Sequence, residues 1–278
     1  MFKRDTNVYL QVNGGDYFEL SVYPDASFSQ VYSEAELPQK TLHKPENLIS
    51  SGFTSSLNPG NFNFTIVIID TANAEAVLQC LSKRDPLGHE IYLENNGSVI
   101  RLDSCVFENV VFNFVRNAIS TVSMSGTYSY SEDSELPPSP LALGEVYTYI
   151  QELSIYKDGN EITNITSLNF EISNEITWLD NQTMHDSGPV PKKNFRTSGK
   201  TVSGTVVANG DMTLPEYSDG VPFSFEIMFN SSALMSVELP KAIVTKRNQL
   251  DELVKNGYDF RAISEEYTIK YRGVNICN

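Results

Sequence analysis

Residues 121–130 read TVSMSGTYSY. Val122, Met124, Gly126, Tyr128 and Tyr130 alternate with Thr121, Ser123, Ser125, Thr127 and Ser129. A period of two puts the apolar groups on one face of an extended chain and the hydroxyls on the other. A helix would scatter both sets around its axis. The pattern recurs where Leu168, Phe170 and Ile172 alternate with Asn169, Glu171 and Ser173. It recurs again from Phe223 to Phe229, and at Ile263, Tyr267, Ile269 and Tyr271. Phe62 to Ile69 is apolar on both faces, which suits a strand buried on both sides. The expected fold class is mostly β.

Two stretches break the alternation. In Thr71 to Asp85, Ala74, Val77, Leu78 and Leu81 fall at helical spacing behind a possible Asp70 or Thr71 cap. In Arg247 to Asn256, Leu250, Leu253 and Val254 share one helical face, and Gly257 suits a C-terminal stop. One short helix is expected in each half.

The segment EDSELPPSPLALGE, Glu132 to Glu145, mixes three prolines with Ser, Gly and acids. It reads as a linker. The expected organisation is a first domain over 1–135, a linker over 136–145 and a second domain over 146–278. The halves share an order of elements. In each, an alternating strand (Phe18 to Tyr23, Leu168 to Ile172) precedes a long polar segment, Ser33 to Asn61 or Trp178 to Thr201. Arg116–Ser120 and Arg261–Ser264 then enter strands ending at Tyr130 and Tyr271. A repeat of this length implies two copies of a domain rather than a solenoid.

The chain has 278 residues, 40% of them hydrophobic, enough to build a core. Its net charge of −15 argues against a nucleic-acid clamp and against a polybasic membrane-surface protein. No apolar run reaches the ~18 residues of a membrane span, and the opening Met1-Phe2-Lys3-Arg4-Asp5 shows no secretory signal. Cys80, Cys105 and Cys277 form no CxxC pair and are expected to be reduced thiols of a cytosolically made protein. The sequons at Asn63, Asn96, Asn164, Asn181 and Asn230 are accordingly not read as glycosylation sites. Tyr147, Tyr149 and Tyr156 suit core or domain packing, or an interface.

Catalytic motifs are missing: no GxSxG, HExxH, GxGxxG or EF-hand loop occurs. Gly199-Lys200-Thr201 resembles the end of a phosphate loop, but Asn194 stands where that loop needs glycine, and a strand follows where it needs a helix. His185 lies near Asn181 and Asp186, and one imidazole with loose oxygens does not make a transition-metal site. Carboxylates are plentiful, but a paired-carboxylate glycosidase usually lines its cleft with aromatics, and Trp178 is the single tryptophan. No enzyme activity, catalytic residue, cofactor or metal is expected.

From residue 147 onward the order is SLNFEIS, a long proline-containing loop TWLDNQTMHDSGPVPKKNFRTSGK, the strand TVSGTVVAN, then PFSFEIMFN, SVELPKAIVT and a closing strand to EYTIKYRG. This order resembles the bacteriophage tail tube protein family, a β-sandwich family. The resemblance covers most of 147–278 and extends to the first half through the inferred duplication. It implies two tandem tail-tube-like β-sandwich or barrel domains, each with a short α-helix. It also implies a structural virion protein whose stacked rings form a conduit for DNA ejection. Three copies would supply six domains, a trimeric ring with pseudo-sixfold symmetry. Its partners would be further copies and other phage tail proteins, with DNA passing unbound. The protein would be made in the host cytoplasm and end in the virion tail. In that family the long loops reach toward the adjacent ring, which nominates Leu37, Pro38, His43, Trp178, Pro189 and Pro191 as contact residues. A tube initiator at the baseplate has the same fold, and a glycan-binding or receptor-binding virion sandwich is the other reading.

Overall fold

The alternation at 121–128 is realised as a strand in which Val122, Met124, Gly126 and Tyr128 are buried and Thr121, Ser123 and Ser125 are half-buried. The computed structural model describes residues 6–12, 15–23, 26–36, 39–41, 44–48, 53–83, 88–179, 194–210, 213–250 and 254–277. The first half contributes β1 (Thr6–Gln11), β2 (Tyr17–Leu20), β3 (Ser27–Ser29), β4 (Tyr32–Glu36), β5 (Gln39–Thr41), β6 (Lys44–Leu48), β7 (Phe53–Leu57), β8 (Gly60–Val67), α1 (Ala72–Ser82), β9 (His89–Asn95), β10 (Ser98–Val115), β11 (Thr121–Tyr128) and β12 (Tyr130–Asp133). The remainder contributes β13 (Leu141–Ala142), β14 (Glu152–Lys157), β15 (Asn160–Ile162), β16 (Ile165–Leu179), β17 (Asn194–Asn209), β18 (Glu216–Phe229), β19 (Ser232–Leu250), β20 (Val254–Ala262), β21 (Thr268–Tyr271) and β22 (Val274–Asn275). The fold is mostly β, a large sheet of many strands rather than a closed barrel.

The two halves use matching ladders. The pairs β1–β2, β1–β9, β9–β10, β10–β11, β8–β11, β10–β12 and β3–β8 are all antiparallel. Beside them stand β14–β15, β14–β18, β18–β19, β19–β20, β17–β20, β19–β21 and β16–β17. The joint between halves is itself a ladder. Asn109–Val115 of β10 pairs antiparallel with Ser167–Ser173 of β16. The strands β8, β11, β10, β16, β17 and β20 therefore run side by side as one sheet.

Pleating sends alternate residues of that sheet to opposite faces. One inward row is Ile66, Val122, Phe112, Phe170, Gly204 and Phe260. Phe112 and Phe170 meet across the joint at 5.6 Å, and Phe170 meets Phe225 of β18 at 5.5 Å. A single hydrophobic cluster thus spans both halves. Gly204 is needed in this row because a Cβ there would lie 2.4 Å from the Phe260 ring and 2.2 Å from the Asn169 carbonyl.

Only the first of the two expected helices forms. Thr71 caps α1 by accepting from the Ala74 N–H at 3.2 Å, and Ala74, Val77, Leu78 and Leu81 are buried. The second expected helix, Arg247 to Asn256, is a hairpin instead: β19 continues to Leu250 and β20 starts at Val254. Nine residue pairs, from Ala242↔Ala262 to Leu250↔Val254, join these strands. A ten-residue helix is marginal alone, and forming it here would forfeit the ladders of β20 with both β17 and β19. Gly257 pairs with Arg247 and Val207 inside the sheet and stops nothing.

Other expectations are corrected in detail. Ser33 to Asn61 is not an irregular loop, since β4 pairs with β7 and β5 with β6. Trp178 to Thr201 starts and ends in strand, with Leu179 paired to Asn194. The run at 62–69 is not buried on both faces, because Asn63 is exposed and Thr65 and Val67 are half-buried. The last alternating run is split: Ile263 is exposed in a bend after β20, and β21 begins only at Thr268. Tyr147, Tyr149 and Tyr156 are not core, being between 41% and 50% exposed. The segment read as a linker is held down at its end. Leu141 and Ala142 pair with β2, Leu143 is buried, and the Thr71 hydroxyl donates to the Leu143 carbonyl at 2.6 Å.

Candidate assembly surface

The outward face of the continuous sheet follows from the same registers. One row is Asn63, Ser125, Asn109, Ser173 and Thr201. The next is Thr65, Ser123, Val111, Glu171, Ser203 and Arg261. A third is Val67, Thr121, Asn113, Asn169, Thr205 and Asp259. Hydroxyls and amides dominate, and the charged members of these rows are Glu171, Asp259 and Arg261. Neighbours satisfy one another: Ser173 donates to Asn109 Oδ1 at 2.8 Å, Thr205 donates to Asp259 at 2.8 Å, and Thr65 and Ser123 share a bond of 3.1 Å. The Arg247 guanidinium pairs with Asp259 at 2.8 Å. The face is polar, close to neutral and continuous from one half to the other. The chain's acidity lies mostly elsewhere, so the face does not present a strong negative field.

Trp178 is the one nominated contact residue whose surroundings are described. It is half-buried near the end of β16, its indole N–H donates to Thr127 Oγ1 at 2.9 Å, and its ring meets Phe195 edge-on at 5.6 Å. Thr127 in turn donates to Glu108 at 2.8 Å. The tryptophan therefore pins the β16–β17 hairpin to β11 of the other half. Leu37, Pro38, His43, Pro189 and Pro191 lie outside the described residues. Sequence reading missed the surface that spans the joint, because the β10–β16 register is not visible in either strand alone. The hydroxyl side of TVSMSGTYSY was the available signal.

The model of the Bacteriophage Baseplate Tube Protein Family matches residues 1–276. The chain belongs to this family. No curated protein matches the sequence. Membership makes it a structural protein of the phage tail and baseplate tube, assembled with other proteins of that tail.

The chemical groups of this baseplate tube protein serve packing. Tertiary folding does bring a thiol to an imidazole: Cys80 Sγ of α1 lies 3.2 Å from His89 Nε2 of β9. Burial pushes the Cys80 thiol up to about 12 and the His89 imidazole down to about 4, so both are neutral near pH 7. An activated pair would need the opposite shifts. His89 Nδ1 lies 3.2 Å from the Gln11 carbonyl, which ties α1, β9 and β1 together. Lys200, which lies in β17, donates to the Ser82 carbonyl at 3.1 Å and also to the Lys83 carbonyl. It places a cation at the C-terminus of α1, where the helix dipole favours one. Among the described residues lining a concavity of about 570 Å³ between residues 197–202 and 262–267, this lysine is the cation. No group of three His, Cys, Asp or Glu side chains placed to hold a metal lies among the described residues. Among them, too, no helix is long and apolar enough to cross a membrane.

Proposed function

We propose that the chain is a tube subunit whose copies close into rings by sheet-edge pairing and stack into a conduit for DNA ejection. The observation that supports this most is the β10–β16 ladder, which makes two halves into one sheet. A joint of that kind, repeated between chains, is β-augmentation with a rotation that closes. Each half would be one tube domain, over 1–135 and 146–278, with 136–145 between them. The seven matching ladders support descent of the halves from one duplicated domain. A trimer would then be a pseudo-sixfold ring.

The dimensions agree with this reading. Four strands per domain, β3, β8, β11 and β10 in one and β16, β17, β20 and β19 in the other, would face the channel. At about 4.8 Å per strand, three chains give a wall roughly 115 Å around and roughly 37 Å across, before strand tilt widens it. That leaves room for a DNA double helix. The Ser/Thr/Asn face would line the channel, its few charges of both signs giving phosphates neither a strong attraction nor a strong repulsion. Trp178 and the hairpin it anchors would reach the adjacent ring together with Leu37, Pro38, His43, Pro189 and Pro191. No catalytic step is assigned to the protein. Membership of a baseplate tube family favours the initiator end of the tube over its body.

Negative-stain electron microscopy of the purified chain across a concentration series tests the reading. Rings, single or stacked, are the expected result. A chain that stays monomeric at every concentration, alone and with the tube components of its own phage, removes the reading.

A further inference from the structure

We infer that Val115, Ile119, Val146, Tyr147 and Tyr149 form an apolar ledge that receives the Leu179 end of the β16–β17 hairpin of a second copy, in the ring stacked next to it. The inference rests on the stacked-ring reading above and adds the surface on which the hairpin lands. It starts from the outward rows of the sheet. Along β10 that face reads Asn109, Val111, Asn113 and then Val115. Along β11, read back toward its start, it reads Ser125, Ser123, Thr121 and then Ile119. Mostly polar rows give way to an apolar one at one end of the wall. Val115 and Ile119 lie together there, because the two strands are joined by a tight turn in which the Ala118 N–H donates to the Val115 carbonyl at 3.1 Å.

Residues 146–149 extend this row and are firmly held. Tyr147 bridges to Ile69 and Tyr149 to Ile119. The Val146 carbonyl accepts from the Asp70 N–H at 3.0 Å, and the Thr148 carbonyl accepts from the Ser120 N–H at 2.9 Å. Thr148 is completely buried, and its N–H and hydroxyl both donate to the Ile68 carbonyl, at 3.1 Å and 3.0 Å. Alternation along an extended chain then turns Tyr147 and Tyr149 the other way, outward. Tyr149 is steadied edge-on against Phe229 at 5.4 Å. All five ledge side chains are between 45% and 50% exposed. A contiguous apolar patch on a fixed backbone marks an interaction site, and tyrosine is enriched in such contacts.

What covers the ledge follows from the two ends of the sheet. Val115 pairs with Ser167, and Leu179 lies twelve residues further along β16, roughly 40 Å at about 3.3 Å per residue. The β10–β16 ladder stops at Ser173, and β16 continues beside β17 as far as the Leu179↔Asn194 pair. Leu179 is therefore at the opposite end of the wall from the ledge. It is exposed, with Trp178 and Phe195 in edge-on contact beside it. A stack of identical rings grows by a heterologous contact, so one end of each chain must fit the other end of the next. The ledge and the hairpin end are the apolar groups that a head-to-tail stack brings together. Joining them removes from water apolar surface that neither end covers within its own chain.

A cross-linking series tests the contact. Ile119→Cys, Tyr147→Cys and Tyr149→Cys are each combined with Leu179→Cys in the full chain, whose three native cysteines are buried. Within one chain the two new thiols are at opposite ends of the wall, beyond the reach of a short bis-maleimide, so any bridge joins two copies. Expected from stacked material is a ladder of covalent multimers from at least one pair, and nothing above the dimer from Leu179→Cys alone. No ladder from any of the three pairs, in material that stacks as the unaltered chain does, would overturn the ledge and leave the ring reading standing. Bridging that ends at dimers would mean a symmetric contact and would overturn it equally. An unaltered chain that forms rings and never stacks removes the ledge, and one that forms no rings removes the ring reading with it. A companion variant, Tyr147→Glu, puts on the ledge a carboxylate that is costly to bury without a partner. It should raise the concentration midpoint of stacking at least about tenfold. Tyr156→Glu, on β14 and outside the ledge, should leave that midpoint where it is. Equal midpoints for the two variants would overturn the assignment.

Discussion

The stretch of chain entering β9 and the stretch entering β18 hold equivalent places in the two halves and are built differently. Before β9 the chain forms α1, with five apolar side chains (Ala74, Val77, Leu78, Cys80 and Leu81) in the core. Before β18 proper it forms the edge strand Glu216–Val221, of which only Val221 packs, half-buried, against the core. Local sequence explains both outcomes. The first stretch has apolar residues at helical spacing behind a threonine cap. The second contains Pro215, Asp219-Gly220 and Pro222, which no helix accommodates. The ladders around these stretches match all the same. Strand register is fixed by the apolar face each strand must bury, whereas a connection answers only to its own residues. The consequence is asymmetry at the sheet edge. With α1 folded out of the way, β10 is open to β16, while β19 is covered from within its own half.

The largest expected effect lies at the joint. Phe170→Ala removes a fully buried ring in contact with both Phe112 and Phe225, and should cost about 3–5 kcal/mol in denaturant unfolding. Tyr217→Ala, at the equivalent edge of the other half, should change stability by no more than about 0.5 kcal/mol. Similar costs for the two variants would break the comparison, because the β19 edge would then be as tightly covered as the β10 edge.

How much of this was legible beforehand depends on the range of the interaction. Every inward residue of β11 could be named from TVSMSGTYSY, and α1 from its cap and spacing, since both signals are local. The supposed helix at 247–256 shows where local reading fails. Leu250, Leu253 and Val254 fit a helical stripe and a hairpin end equally, and the choice was made by β17, some fifty residues away in sequence. The joint is less legible still. Nothing in SLNFEIS says that Phe170 will lie opposite Phe112. The family was legible in the order of elements, and the near-neutral outward face of the sheet was not, because the total charge of −15 says nothing of where the charges sit.

A pH experiment sharpens the comparison from the helical side. His89 is held neutral by burial between α1 and β1, with its pKa lowered from 6.5 to about 4. The unfolded chain therefore binds one more proton than the folded chain between those values. Stability is whole above about pH 6.5, falls as the pH drops toward 4, and from this group loses nothing further below that. The full loss is on the order of 3 kcal/mol. His89→Gln should flatten that part of the stability profile, whatever it does to the absolute value. An unaltered slope between pH 6.5 and 4 would mean that the imidazole is protonated in the fold and that α1 is less tightly packed than its burial indicates.

The smallest effect concerns a side chain of the second half that steadies the helix of the first. Lys200 on β17 donates to the carbonyls of Ser82 and Lys83 at the C-terminal end of α1. Lys200→Met keeps the aliphatic stem and removes the charge, the donors and the favourable term with the helix dipole. The expected loss is about 1 kcal/mol, read as a shift of the denaturant midpoint with an unchanged slope. Hydrogen exchange should localise it: amides in the last turn of α1 lose protection, while those of Glu216–Val221 do not change. If protection falls in both places together, the helix and the edge strand Glu216–Val221 belong to one cooperative unit. The asymmetry between the halves would then be a property of the whole sheet and not of two separate connections.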